Sequence, residues 1–146
     1  MSLELEAKLA ICEHFAAVGR RPSVEDIAAR VGAAVPQVRE IFARLRAQRV
    51  LVLEADAESI RMAPPFSGVA TQHRVTADGV TYHANCAWDA LGIPAALHKP
   101  ATVHSRCEPS MEPLELAISD GGPEASDWLF HCVVPASRWW DDIVFT

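Results

Sequence analysis

Cations are scarce in this sequence where a nucleic-acid surface would need them. Residues 63–146 carry four Lys/Arg against ten Asp/Glu, while residues 1–62 carry nine of each, so the formal charge of −6 falls on the second half. A polyanion finds no attraction there. Long apolar runs are missing too: none approaches the ~18 residues that span a bilayer. There is no glycine-rich phosphate loop, no nucleophile-elbow serine and no H-E-x-x-H, which removes the common phosphate-binding, serine-hydrolase and zinc-protease signatures. The start, Met1 to Glu6, is acidic and lacks the basic-then-apolar order of a signal peptide, so a soluble, cytoplasmic protein is expected. Half of the residues are apolar, enough for one ordinary domain with a real core.

The first 63 residues read as three helices and a hairpin. Leu5, Leu9, Cys12, Phe15 and Ala16 recur at helical spacing and Gly19 follows as a stop. Ser23 offers an N-cap with Asp26 three residues on, ahead of the stripe Val24, Ile27, Ala28 and Val31. A third helix is expected over 35–48, with Pro36 in its first turn and Val38, Ile41, Phe42 and Leu45 on its apolar face. Segments 50–53 and 59–62 form a hairpin. Three helices and a hairpin give a winged-helix-like unit, residues 1–63. Arg39 and Arg46 share an outward face of the third helix, as a major-groove reader requires, although arginine is also a common surface helix former.

Pro64-Pro65 marks a boundary, and residues 64–146 read as a mixed or antiparallel sheet with short helices, an α+β class overall. Strands are expected at 71–76 and 80–84, joined by Asp78-Gly79 as a type I′ turn. Short helices follow at 86–91 and 95–97, separated by Gly92-Ile93-Pro94. Strands at 101–106 and 114–119 pair across a loop holding Cys107, Asp120 to Pro123 makes a turn, and a last strand covers 128–134.

Four cysteines, Cys12, Cys86, Cys107 and Cys132, are expected to stay reduced in such a chain. Cys12 fits a small core hydrophobe. Cys86 and Asp89 lie three apart, under one helical turn, so thiol and carboxyl point the same way. A thiolate suits soft metals, and an acid raised in pKa by Ala87, Trp88 and Leu91 can deliver a proton. Spacing alone fits equally a core thiol and a dipole-favoured helix-start acid. His83-x-x-Cys86 and His104-x-x-Cys107 have the spacing of zinc ligands, but the glycines that shape zinc knuckles are absent.

Taken together, these residues resemble the organomercurial (alkylmercury) lyase family. The likeness runs through Arg61-Met62-Ala63-Pro64-Pro65-Phe66-Ser67. It is strongest from Tyr82 to Leu97, around Cys86-Ala87-Trp88-Asp89-Ala90-Leu91, and continues through Ala101 to Cys107 and the Trp139-Trp140-Asp141-Asp142-Ile143 region. The resemblance implies cleavage of a carbon–mercury bond by protonolysis, with Cys86 the attacking thiolate and Asp89 the acid. No cofactor is implied, and Cys107 takes no catalytic part. The implied partners are an organomercurial substrate and a reductase or small thiols that take over the mercuric ion, with neither DNA nor membrane involved. The family's second catalytic cysteine would follow just past Thr146, so the chain reads as C-terminally truncated and its activity is expected to be weak or absent, with Cys132 the thiol left to hold mercury beside Cys86. The alternative left open is a thiol-based metal sensor and transcriptional regulator that uses the winged helix.

Overall fold

A computed structural model describes residues 1–145. The chain folds as α+β. Helices α1 (Leu3–Val18), α2 (Val24–Val31) and α3 (Val35–Ala47) come first. They are followed by a three-stranded antiparallel sheet, β1 (Val52–Leu53), β2 (Ile60–Ala63) and β3 (Phe66–Ser67), in that order. The expected hairpin is therefore present with an added strand, because Pro64 and Pro65 turn the chain and Phe66 pairs back with Ala63.

Local chemistry sets the helix ends. Ser23 Oγ accepts from the Asp26 N–H at 3.0 Å while Asp26 Oδ2 accepts from the Ser23 N–H at 2.9 Å, the reciprocal cap expected from the sequence. Gly19 ends α1 at φ +69°, and its backbone passes so close to the Thr81 carbonyl that a Cβ would sit 2.2 Å from that oxygen.

The apolar face of α1 differs from expectation. Ala7, Ala10, Ile11 and Phe15 are buried, whereas Leu5 and Leu9 stay 44% and 42% exposed and Cys12 lies outward with them. Cys12 is thus no core residue. Apolar side chains surround this helix on several faces, so its periodicity admits two stripes that share Phe15, and packing against α2 and α3 selects the one with Ala7, Ala10 and Ile11.

The second sheet is five-stranded and wholly antiparallel. Its members are β4 (Arg74–Ala77), β5 (Val80–His83), β6 (Ala101–Arg106), β7 (Pro113–Ser119) and β8 (Gly122–Pro123), in the order β5-β4-β6-β7-β8. Asp78 and Gly79 both have positive φ between the paired ends Ala77 and Val80, as a type I′ turn requires. The turn expected at 120–123 supplies the minimal edge strand β8. One helix, α4 (Ala87–Leu97), packs against β4 and β6. It replaces the two short helices expected there. Pro94 forgoes one backbone bond, and its burial with Ile93 under the sheet outweighs that loss.

The strand expected at 128–134 does not form. Leu129 is 90% and Val133 74% exposed, and the segment joins neither sheet: β7 is already paired with β6 on one side and with the two-residue β8 on the other, where Pro123 lacks a donor. A 3₁₀ helix, Ala136–Asp141, follows, with Arg49 stacked over Trp140 at 5.9 Å.

One buried cluster runs from Ala7 on α1 to Leu116 on β7. Phe66 joins its halves. It stacks on Phe15 at 5.3 Å and meets Tyr82 at 5.8 Å, while the Tyr82 hydroxyl donates to the Ala16 carbonyl at 2.7 Å. Phe66→Ala is expected to cost about 3–5 kcal/mol, the usual toll for a buried phenyl ring. Urea unfolding measures it, and a loss under about 1 kcal/mol would show that the two halves are joined by other contacts.

Candidate functional site

Strand β5 and helix α4 are joined by only three residues, Ala84, Asn85 and Cys86. Ala84 bridges to Phe66, which fixes where the chain leaves the sheet. Cys86 is the extended N-cap residue of α4, with its carbonyl accepting the Ala90 N–H at 3.0 Å. Asp89 sits one turn on, the only acid of the first turn. Both side chains are half-buried, and Ala90 behind them is sealed. The two residues singled out from the sequence thus share the start of one helix.

Burial raises the pKa of the Cys86 thiol above the ordinary cysteine value, and the nearby negative charges of Asp89 and Cys132 push the same way. The backbone N–H groups of Asp89 and Trp88 oppose this, although neither reaches ordinary hydrogen-bond geometry with the sulfur. Burial also raises the Asp89 carboxyl, against a lowering contribution from Asn85, whose Nδ2 donates to Asp89 Oδ2 at 2.9 Å. Burial thus favours the protonated form of both the thiol and the carboxyl. A metal that takes the sulfur displaces the thiol proton to solvent, and a protonated carboxyl can deliver its proton to a basic atom nearby.

Asn85 was not singled out from the sequence. Its spacing of four from Asp89, a helical neighbour distance, is the signal that was available. The tail reaches the start of α4. Phe130 lies against Trp88 with ring centroids 5.6 Å apart, two residues before Cys132. Cys132 is exposed and donates through Sγ to the Val134 carbonyl at 2.8 Å. Cys107 opens the β6–β7 loop, where its N–H donates to the Glu112 carbonyl at 2.9 Å, away from this helix end.

The other candidate constellations do not assemble. His83 Nδ1 takes the Thr71 N–H at 3.0 Å and His104 faces Glu115 at 3.3 Å. Among the described residues no group of three or more His, Cys, Asp or Glu side chains is arranged to hold a metal ion. His73 meets Ser105 at 2.7 Å, but that hydroxyl is buried within the sheet and offers no nucleophile to a substrate. On α3, Arg39 of the outward arginine face pairs with Glu58 at 2.7 Å, and Arg44, off that face, pairs with Glu4 at 2.8 Å.

A family model described as alkylmercury lyase matches residues 66–146. Curated alkylmercury lyases from Bacillus cereus and Clostridium butyricum are each 28% identical over 100 residues, covering 68% of this chain and 44% of theirs. The alkylmercury lyase of Staphylococcus epidermidis is 30% identical over 95 residues, covering 65% and 42%. The chain therefore spans less than half the length of these relatives. The crystal structure of the mercury-bound form of MerB2 superposes with a TM-score of 0.66 at 23% identity, over 84% of this chain and 60% of that one, so the α+β fold is shared. With more than half of its residues matched by the family model, among them the Cys86–Asp89 turn, this chain belongs to the alkylmercury lyase family.

Proposed function

We propose that this protein is an organomercurial lyase that cleaves carbon–mercury bonds by protonolysis at the start of α4. The observation that carries this reading is a half-buried thiol and a half-buried acid on one helical turn, Cys86 and Asp89, both raised in pKa by burial. In an organomercurial R–Hg–X, mercury is soft and thiophilic, so it bonds to Cys86 Sγ while the thiol proton passes to solvent water. Sulfur adds electron density to mercury. The electron pair of the Hg–C bond then leaves with carbon and takes the Asp89 proton. Hydrocarbon R–H departs, Asp89 is left as carboxylate, and mercuric ion stays on Cys86 with X. The helix N-terminus and the Asn85 amide stabilise the charge that appears on Asp89. Trp88 and Phe130 supply an apolar wall for the organic group.

Cys132 is assigned as the second sulfur. Mercuric ion favours two thiolates, and Cys132 follows two residues after Phe130, which lies on Trp88 at the start of α4. From this pair the ion passes to small thiols or a reductase, and no cofactor takes part. The division of labour follows Pro64: residues 1–63 form a winged-helix-like support, and residues 64–146 carry the chemistry. Four free cysteines suit the reducing cytoplasm, and among the described residues no helix is long and apolar enough to cross a membrane.

Three outcomes test this reading. Cys86→Ser is expected to abolish release of benzene from phenylmercuric acetate while circular dichroism and melting stay unchanged; turnover at the parental rate would remove Cys86 from the mechanism. Cys132→Ser is expected to leave cleavage in place but to weaken retention of mercuric ion against glutathione by on the order of a hundredfold, the loss of a second tethered ligand. Equal retention would free Cys132 from that role. The third outcome concerns protonation. A thiol pushed up by burial is protonated until the pH climbs past the usual cysteine range, so iodoacetamide should label Cys86 with a midpoint above the ~8.5 of a free cysteine. A midpoint below that value would mean that the helix N-terminus outweighs burial.

A further inference from the structure

We infer that Asn85 is a positioning residue for the acid: its amide holds one carboxyl oxygen of Asp89, so that the other oxygen carries the proton to be delivered. This deepens the lyase reading above and rests on it. Asn85 Nδ2 spends its two protons in two directions. One goes to Asp89 Oδ2 at 2.9 Å and the other toward the Phe66 carbonyl at 3.4 Å, so the amide ties the acid to β3 and hence to the aromatic junction. On its other side, Asn85 Oδ1 is buried with no partner among the described residues.

A buried amide oxygen left without a donor is costly, and a side chain that serves only packing would be better apolar. Turning the amide over would set its oxygen against the Phe66 carbonyl and give up both donations of Nδ2. The residue is held for the half of its hydrogen bonding that is met.

That half bears on the reaction. In the neutral acid, Oδ2 is the oxygen that accepts from Asn85, which leaves the O–H on Oδ1. As the proton passes to carbon, charge grows on the carboxyl group and the N–H···O bond becomes charge-assisted. The contact is therefore stronger in the transition state than in the resting complex, the kind that raises kcat and leaves KM alone. Asn85 needs no contact with mercury for this and acts only through Asp89.

The test compares the full chain with Asn85→Leu, which keeps the size of the side chain and removes the donor, using phenylmercuric acetate. The kcat is expected to fall about ten- to a hundredfold, the worth of a hydrogen bond to a charged group, with KM within about twofold. Asn85→Ala, which also removes the donor, should lose as much and carries the comparison if the leucine variant does not fold. A folded variant with parental kcat, or a loss confined to KM, overturns the assignment while parental turnover leaves the lyase reading standing. If neither variant folds, Asn85 is structural and the assignment is likewise overturned. A parent protein that releases no benzene contradicts the lyase reading itself, and the role of Asn85 in turnover goes with it.

Discussion

The stacking of Phe66 on Phe15 is the contact on which the candidate site depends. Phe66 belongs to the small sheet that follows the helices, yet its backbone bridges to Ala84 and its carbonyl takes the Asn85 amide. Those two residues immediately precede Cys86. The aromatic junction therefore determines where β5 lets go of the sheet and where α4 begins. Tyr82, one strand residue earlier, ties the same point to α1 through Ala16. The helices α1–α3 thus help to fix the first turn of α4, through Phe15 and Ala16.

At that turn two opposing influences meet. The N-terminus of α4 favours negative charge, while the surroundings that half-bury Cys86 and Asp89 disfavour it. Burial prevails at both groups. For an ordinary enzyme nucleophile a raised thiol pKa would be a handicap. A soft metal changes the balance, because sulfur–mercury bonding expels the thiol proton without help from a basic pH. In the proposed reaction the raised carboxyl is then an asset, since burial favours the protonated form that protonates carbon. Keeping an ionisable carboxyl in apolar surroundings sacrifices some stability, as functional sites commonly do.

Much of this was legible in the sequence where the signal is local. The Ser23–Asp26 cap, the Asp78-Gly79 turn, the β6 and β7 strands and the three-residue spacing of Cys86 and Asp89 each depend on a few adjacent residues. What stayed hidden depends on distant partners. Helix α1 carries apolar residues on several faces, and only the approach of α2 and α3 selects Ala7, Ala10 and Ile11 over Leu5, Leu9 and Cys12. Residues 128–134 have strand-like composition but meet no free sheet edge. Pro94 signals a break, which burial against the sheet overrides. Asn85 shows its significance only once Phe66 and Asp89 are placed on either side of it.

The central claim is that a proton delivered at the α4 turn replaces mercury on carbon. Incubation with phenylmercuric acetate in deuterium oxide, followed by mass spectrometry of the volatile product, tests it directly. Benzene carrying one deuterium, formed together with one mercuric ion held by protein thiols, is the expected result. Phenylmercury that remains intact on the protein, with no benzene released, would contradict it.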